Sequence, residues 1–340
     1  MTHTKEQTNQ NIDIVCGLAW GDEGKGKVVS YLNSQNQYEA VCRWAGGDNA
    51  GHTVYVNGAP YKTHLIPSGI FSGTLSIVGP GCVVNKTGLY KELVYLQENS
   101  FDISQIKISP KAHIVTTEHL EVDKRELSES LGTTSRGIAP CYASKAARTG
   151  SLAKDVLPQS LLWDEKLPQG PILCEGAQGF WLDIDQGNYP FVTSSITLPY
   201  GACGLGFSPK RIRNIYGVAK IYDTRSGVDP LFPQSLLENP TLSRLGILGK
   251  ERGVTTGRRR QTNWLNLTKL IEAINKSGTT HLILNKCDIL EELNTFLLLI
   301  NFEPVKFDSL KSMISFVKRT LKKECSLLEE IVFSYSPSKI

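Results

Sequence analysis

The chain has 340 residues, of which 37 are Lys or Arg and 33 are Asp or Glu, so that its formal net charge is +4, and 40% of its residues are hydrophobic. This ordinary globular composition excludes a disordered chain and a miniature fold held by disulfides. A surplus of four positive charges over this length predicts neither a nucleic-acid partner nor a membrane surface.

The cysteines and the N-terminal segment indicate the cellular compartment. The eight cysteines are widely spaced, without a Cys-x-x-Cys pair, which is typical of free thiols in a reducing compartment. Residues 1–11 are polar and are predicted to form a flexible tail, and no segment approaches the ~20 apolar residues of a membrane span. We therefore expect a cytoplasmic protein in which residues 12–340 form a single domain.

Apolar runs and helix-like segments alternate along the chain. Strands are predicted at 12–18, 40–44, 75–78, 106–109, 172–174, 215–221 and 281–284, and helices at 27–32, 87–98, 117–131, 264–275 and 310–322. This order predicts an α/β domain with a mostly parallel, mixed central sheet covered by helices. Asn57-Gly58 predicts an antiparallel hairpin, and residues 176–208, rich in Gly and Pro, predict long ordered loops.

A Gly-rich segment with the sequence AWGDEGKGK, residues 19–27, joins the first predicted strand to a helix. Glycines allow successive backbone N–H groups to face an anion, and the helix N-terminus adds its positive dipole end. The segment departs from the Walker pattern, because Ala19 replaces its first glycine and Gly26 replaces the hydroxyl residue that binds Mg²⁺. It predicts a phosphate loop of another kind, with a surface turn as the alternative.

Asp22 is unusual inside such a loop. A carboxylate would repel a phosphate by ~4 kcal/mol at about 4 Å and an effective dielectric near 20. Its presence therefore predicts either that Asp22 binds a metal ion or that it accepts a proton beside the transferred group.

The segment Asn285-Lys286-Cys287-Asp288 follows the strand predicted at 281–284. In this N-K-x-D pattern an Asp can accept hydrogen bonds from guanine N1 and N2 while the Lys packs on the ring. Adenine lacks the matching pair of donors. Four residues alone carry little information, but at a strand end and together with a phosphate loop they predict GTP rather than ATP.

Two further segments carry candidate substrate contacts. Residues 253–260, GVTTGRRR, combine hydroxyls with guanidiniums. The alternatives are a solvated basic turn and a nucleic-acid patch, and the lack of interleaved aromatics argues against the patch. Because arginine forks pair with carboxylates or phosphates, the segment predicts a cradle for a small dianion or dicarboxylate. His52, in the segment DNAGHT at 48–53, is either a surface imidazole or a general acid beside the phosphate site.

Seven motifs, WGDEGKGK, GGDNAGHT, GTTSRGIAP, CEGAQG, YPFVTSS, GVTTGRRRQTNW and NKCD, occur in this order between about Asp13 and Asp288. Together they resemble the adenylosuccinate synthetase family. The resemblance implies ligation of IMP and L-aspartate to adenylosuccinate, with GTP as co-substrate, one Mg²⁺ per subunit and a homodimer. It further implies that the 6-oxygen of IMP attacks the γ-phosphoryl group, and that the aspartate amine then displaces phosphate from 6-phosphoryl-IMP.

The resemblance also implies roles for individual residues. Asp22 is expected to be the base and, with the Gly51 carbonyl, a Mg²⁺ ligand, while His52 is expected to be the acid at the 6-oxygen, with Lys25 and Gln178 also catalytic. The expected GTP-binding residues are Gly21, Asp22, Glu23, Gly24, Lys25, Gly26, Lys27, Gly51, His52, Thr53, Arg260, Lys286, Cys287, Asp288 and Ser336. The expected IMP-binding residues are Asp22, Lys25, Asn49, His52, Thr134, Arg148, Gln178, Thr193 and Arg258, of which Arg148 reaches the neighbouring subunit. The expected aspartate-binding residues are Val254, Thr255, Thr256, Gly257, Arg258 and Arg260.

The chain departs from the family pattern at three places. It is shorter than most members, chiefly between Arg148 and Glu175; residues 334–339, SYSPSK, replace a Gly-Pro segment with an Arg; and residues 132–137 read GTTSRG. The alternative function is a P-loop GTPase switch, because D-x-x-G (48–51) and N-K-x-D are formally present. Such a switch requires a Mg²⁺-binding hydroxyl after Lys25, which Gly26 cannot supply.

Overall fold

The computed structural model describes residues 11–227, 229–233, 235–253, 257–337 and 339–340. The strands are β1 (Ile12–Gly17), β2 (Ala40–Arg43), β3 (His52–Val56), β4 (Ala59–Thr63), β5 (Leu75–Val78), β6 (Val83–Asn85), β7 (Ile106–Ile108), β8 (His113–Val115), β9 (Ile172–Glu175), β10 (Ile212–Lys220), β11 (Tyr222–Arg225), β12 (Gln261–Asn266), β13 (His281–Asn285), β14 (Phe296–Ile300), β15 (Glu303–Phe307) and β16 (Glu330–Phe333). The α-helices are α1 (Lys25–Gln35), α2 (Lys86–Glu98), α3 (Thr117–Val122), α4 (Ser128–Leu131), α5 (Ile138–Ala147), α6 (Ser235–Glu238), α7 (Pro240–Leu248), α8 (Leu267–Ser277), α9 (Cys287–Leu293) and α10 (Leu310–Glu324).

An eight-stranded sheet in the order β16-β13-β10-β1-β9-β2-β5-β7 forms the centre of the fold, and every neighbouring pair in it is parallel. The expected α/β class with a mostly parallel sheet is therefore confirmed. β1 is buried along its whole length because both faces of the sheet are covered. The Asn57-Gly58 hairpin forms as predicted, but β3 and β4 make a separate two-stranded sheet. The prediction that the central sheet is mixed was therefore wrong.

Two helix predictions were wrong in their extent. Residues 261–266 form β12, which pairs antiparallel with β11, and α8 begins only at Leu267 after Asn266 caps it through a bond from the Lys269 N–H. The helix predicted at 117–131 is interrupted by a π-helical turn at Asp123–Leu127. Tertiary pairing overrides local helical preference in the first case, and a buried carboxylate, Asp123, lies at the break in the second.

The loops predicted at 176–208 are ordered and carry only short 3₁₀ turns, at Phe180–Leu182 and Pro199–Leu205. Residues 1–10 of the predicted tail lie outside the described residues. Asn11 is part of the fold instead of the tail, because it is buried and its Oδ1 accepts two hydrogen bonds from Arg211. Across the described ranges, no helix has the length and apolar character needed to cross a membrane.

The order of the strands determines where a ligand can bind. β1 lies between β9 and β10, and the chain leaves these three strands and β13 at the same edge of the sheet, at Gly17, Glu175, Lys220 and Asn285. In open parallel sheets, the crevice outside the carboxyl ends of such strands is the usual ligand site.

Candidate active site

A cavity of about 670 Å³ lies at this edge. Its volume falls in the range of small-molecule sites. Nearly all the residues singled out from the sequence line it: Gly21, Asp22, Glu23, Gly24, Lys25, Gly26, Lys27, Asn49, Gly51, His52, Thr53, Thr134, Gln178, Thr193, Arg258, Arg260, Lys286, Asp288 and Ser336. The fold thus brings the segments around residues 22, 52, 134, 178, 193, 258 and 288 to one cavity.

The phosphate loop is held open by a buried carboxylate. Glu23 is 1% exposed, and its Oε1 accepts hydrogen bonds from the N–H groups of Ala19 (3.2 Å) and Gly21 (2.9 Å). Gly21, Asp22 and Gly24 all have positive φ, of 82°, 61° and 95°. A non-glycine residue in this region is uncommon and concentrates at functional sites. Glu23 therefore shapes the loop from inside while Asp22 faces the cavity.

Gly24 precedes the first residue of α1 and connects the two nucleotide motifs. The Asn285 side chain donates a 2.7 Å hydrogen bond to the Glu23 carbonyl, and a Cβ on Gly24 would lie 3.0 Å from Asn285 Nδ2. The side chain of Asn285, the first residue of the N-K-x-D segment, thus links that segment to the phosphate loop.

The positive charge of Lys25 is balanced by a carboxylate of the same loop. Its Nζ donates to Glu23 Oε2 at 2.6 Å and to the carbonyl oxygen of Gln178, and it is only 4% exposed. Gln178 has a positive φ of 53°, and its Oε1 is buried without a hydrogen-bond partner among the described residues. An unpaired buried amide oxygen beside a cavity favours a ligand donor at that position.

Asp22 forms an ion pair across the cavity with Arg260, whose Nε lies 2.7 Å from Asp22 Oδ2. Ser226 donates a longer bond of 3.5 Å to the same oxygen. Burial would lower the pKa of Arg260, but the carboxylates of Asp22 and Glu251 outweigh this effect and raise it. The negative charge of Asp22 is therefore balanced by the Arg260 guanidinium.

The Asp22 carboxylate is one donor of the kind that a magnesium ion uses. Among the described residues no group of three or more His, Cys, Asp or Glu side chains could hold a metal. Mg²⁺ typically uses one or two carboxylates and completes its shell with phosphates and water. Both described contacts of Asp22 fall on Oδ2, and the Gly51 backbone lines the same cavity.

His52 is the first residue of β3, and its side chain is paired with the buried carboxylate of Glu175. Its Nδ1 contacts Oε1 of Glu175, the last residue of β9, and Glu175 also accepts a 2.7 Å bond from the Ser68 N–H. Burial lowers the pKa of His52, although the Glu175 charge opposes the shift. Burial works to raise the pKa of Glu175, but its contact with His52 and the charge of Arg43 lower it. The pair is therefore an imidazole oriented by an ionised carboxylate.

The end of the cavity that the sequence predicts to bind guanine combines three segments. Lys286 has a positive φ of 70° and donates to the Gly249 carbonyl at 2.9 Å, and Asp288 lies in the first turn of α9. Lys27 binds the C-terminal segment through the Ser336 carbonyl at 3.0 Å, and burial lowers its pKa to about 8. Cys287 does not line the cavity, because its side chain is fully buried in the core.

The segment 132–137 is fixed by a buried carboxylate at the π-helical turn. Asp123 accepts hydrogen bonds from Thr133 Oγ1 at 2.6 Å and from the Gly137 N–H at 2.7 Å. Arg258 donates to the Gly132 carbonyl at 3.2 Å, so that the segment 253–260, which we call the arginine loop, contacts the segment carrying Thr134.

Arg148 lies outside the cavity, exposed at the end of α5 with a φ of 65°. Gly257 is also absent from the cavity lining, and Val254, Thr255 and Thr256 lie outside the described residues.

Sequence reasoning missed the buried residues that support the site, namely Asp123, Glu175, Lys220 and Glu251. Glu175 lies in the motif CEGAQG, and this motif is the only feature of the sequence that points to it. The others have no local pattern, because their partners are distant in sequence.

Comparison with known proteins agrees with this geometry. The chain matches the family model described as adenylosuccinate synthetase over residues 14–170 and 159–326. It is 37% identical over 339 aligned positions to the adenylosuccinate synthetase of Streptococcus sanguinis and 36% identical over 340 to that of Lysinibacillus sphaericus; each alignment covers 83% of this chain and 78% of the relative.

A solved structure is similar as well. The fully ligated adenylosuccinate synthetase of Plasmodium falciparum superposes with a TM-score of 0.81 at 27% identity, covering 97% of this chain and 98% of the other. The chain therefore belongs to the adenylosuccinate synthetase family, whose dimeric members ligate IMP and L-aspartate to adenylosuccinate with GTP as co-substrate and Mg²⁺ as cofactor.

Proposed function

We propose that the family's ligation takes place in this cavity, with Asp22 as the base and His52 as the acid. The observation that carries the proposal is that a loop carboxylate and a carboxylate-paired imidazole line one cavity together with the phosphate loop. Asp22 takes the N1 proton of IMP, and the 6-oxygen forms a bond to the γ-phosphorus as the bond to the β-phosphate oxygen breaks. The aspartate amine then bonds to C6, and phosphate leaves.

The two-step route has a physical reason. A deprotonated purine presents an enolate-like 6-oxygen, a better nucleophile than the neutral lactam, and phosphate is a better leaving group than hydroxide. Lys25, the loop N–H groups and the N-terminus of α1 stabilise negative charge on the phosphates. Arg260 Nε occupies Oδ2 of Asp22, so the guanidinium must move away before that oxygen can accept the proton.

His52 is oriented for its role by Glu175. Glu175 Oε1 accepts a hydrogen bond from the Nδ1–H group of His52, so that Nε2 is the ring nitrogen left for a ligand. The arriving phosphates add negative charge nearby and favour the imidazolium, which is the form that donates to the 6-oxygen. Mg²⁺, held by the Asp22 carboxylate and the Gly51 carbonyl, supplies positive charge against the GTP phosphates when bound.

The remaining contacts are proposed from the family motifs in which the residues lie. Asn49, Thr134, Gln178, Thr193 and Arg258 bind IMP, with Arg148 acting across the dimer on the IMP phosphate of the neighbouring subunit. Residues 254–258 and Arg260 bind aspartate. Lys286 and Asp288 read guanine, with Ser336 beside them and Cys287 holding the turn from the core.

We also propose that residues 12–340 act as one domain and that the enzyme works in the cytoplasm. The free state of all eight cysteines, seven of them buried, supports a reducing compartment.

The test is a reconstituted assay of the full chain with IMP, GTP, Mg²⁺ and L-aspartate. Adenylosuccinate formation is expected to require every component. Asp22→Asn is expected to lower kcat by about 100-fold or more, and the exposed Asp164→Asn serves as the matched control. GTP hydrolysis that is indifferent to IMP, or normal turnover by Asp22→Asn, would overturn the proposal.

A further inference from the structure

A buried carboxylate lies behind the Asp22–Arg260 ion pair. Glu251 Oε2 accepts hydrogen bonds from Arg260 Nη1 at 2.7 Å and from Lys220 Nζ at 2.9 Å, while Oε1 accepts one from the Tyr222 hydroxyl at 2.7 Å. The Glu251 side chain is 0% exposed. We call these four residues, Lys220, Tyr222, Glu251 and Arg260, the Glu251 cluster.

Arg260 pairs with two carboxylates, Glu251 inside the cluster and Asp22 outside it. Burial works to raise the pKa of Glu251, but the facing Lys220 and Arg260 lower it to about 2, so this carboxylate is ionised. Two cations thus face one carboxylate inside the cluster, and the excess positive charge is directed at Asp22 through Arg260 Nε. One guanidinium therefore bridges a buried carboxylate and the one at the active site.

Glu251 also fixes the base of the arginine loop. The Arg260 N–H donates to the Glu251 carbonyl at 3.0 Å, and inside this pair the Gly253 N–H donates to the Arg258 carbonyl at 2.8 Å. Backbone and side-chain bonds between Glu251 and Arg260 therefore hold the chain on the two sides of residues 254–256 together.

We propose that Glu251 is a positioning residue for the ligation. It keeps the Arg260 guanidinium at the cavity wall when the ion pair between Asp22 and Arg260 breaks and Asp22 contacts the purine and the nucleotide instead. This rests on the proposed roles of Asp22 and Arg260. When that pair breaks, Arg260 loses its contact with the Asp22 carboxylate but keeps its contact with the buried Glu251 carboxylate. If Glu251 were neutral, Asp22 would be the nearest anion for Arg260, the Asp22 pair would tighten, and the guanidinium would be misplaced for aspartate.

The experiment compares Glu251→Gln, Arg260→Gln and the double variant in the full chain. Glu251→Gln is expected to raise the KM for L-aspartate by about tenfold or more and to leave the KM for IMP within about twofold. In the Arg260→Gln background the same substitution is expected to change the KM for L-aspartate by less than about twofold, because Glu251 acts through Arg260.

A binding measurement keeps the test independent of turnover. Calorimetric titration of L-aspartate into protein holding IMP, GDP and Mg²⁺ should show the same pattern of affinities. Asp13→Asn is the control, since Asp13 is also a buried carboxylate paired with an arginine, Arg213, but lies at the opposite end of β1. It is expected to lower the melting temperature without changing aspartate binding.

A milder variant guards against misfolding of Glu251→Gln. Tyr222→Phe retains every buried charge and removes only the bond to Oε1, and it is expected to weaken aspartate binding by roughly two- to fivefold. Unchanged aspartate binding in both variants, or additive effects in the double variant, would overturn the inference. The proposed function fails separately, if the unaltered chain makes no adenylosuccinate.

Discussion

Gly26 lies directly against His52, so that a Cβ on Gly26 would stand 2.8 Å from the His52 Cβ and 3.1 Å from Ser68 Oγ. This close approach explains why the phosphate loop has glycine where a Walker loop has Ser or Thr. The first turn of α1 and the start of β3 occupy the space that a hydroxyl side chain would need. The same contact removes the Mg²⁺ ligand of a GTPase switch and brings His52 to the phosphate loop.

Gly26→Ser, which restores the Walker residue, is therefore expected to reduce activity. It should displace His52 and lower kcat by roughly tenfold or more, with a stability cost of about 1–3 kcal/mol from overpacking. Steady-state kinetics and thermal unfolding measure the two effects. Gly204→Ala is the matched control, because a Cβ there meets no atom within 4 Å. Full activity of Gly26→Ser would show that His52 tolerates the displacement.

Arg258→Leu is expected to weaken substrate binding. Arg258 lines the cavity and contacts the Gly132 carbonyl, so its loss removes a charged donor and a tie between two loops. The KM for L-aspartate or IMP should rise by about tenfold or more. Arg259→Leu is the control, since Arg259 is exposed and bonds to Ser243 Oγ at 2.7 Å. Equal KM values in both variants would contradict the cradle.

Asp288→Asn is expected to change base selectivity. An Asp accepts from guanine N1 and N2, whereas an Asn can donate to a carbonyl at the 2-position, as in xanthine. The kcat/KM for GTP should fall roughly ten- to a hundredfold, which corresponds to about 1–3 kcal/mol for a bidentate pair, and that for xanthosine triphosphate should rise. Glu292→Gln, exposed on the same helix, should leave both values unchanged. A variant that still prefers GTP would remove Asp288 as the guanine reader.

Asp223 predicts a pH dependence of stability. Burial raises the pKa of this carboxyl from its usual 3.8 to about 7, although the Asn266 N–H bonds to it at 2.9 Å. A group with a raised folded pKa contributes stability that is present below about pH 4 and is lost as the pH rises through about 7. Three pKa units correspond to about 4 kcal/mol.

Asp223→Asn should remove this dependence. Denaturant unfolding between pH 5 and pH 8 is expected to show the variant gaining stability relative to the unaltered protein as the pH rises. Asp308→Asn, at an exposed site, should show a constant difference. A flat difference for Asp223→Asn as well would mean that the carboxyl is ionised throughout the range.

Features that depend on neighbours in the chain could be read from the sequence. The strand, loop and helix around Asp22 were predicted because glycines and a following helix act within about ten residues. The N-K-x-D segment was recognised for the same reason, and the hairpin at Asn57-Gly58 follows from turn chemistry. The order of seven motifs identified the family, and with it the reaction and the residues expected to contact each substrate.

The partners of those residues were decided by the tertiary structure. His52 meets Glu175, and Asp22 meets Arg260, only because parallel strands place their carboxyl ends at one edge, and strand order is not written in any local pattern. The same reason explains β12, where pairing with β11 displaced the start of a predicted helix. The residues proposed to perform the chemistry were therefore visible in the sequence, whereas the buried carboxylates that contact them became visible only when distant segments packed together and excluded water around them.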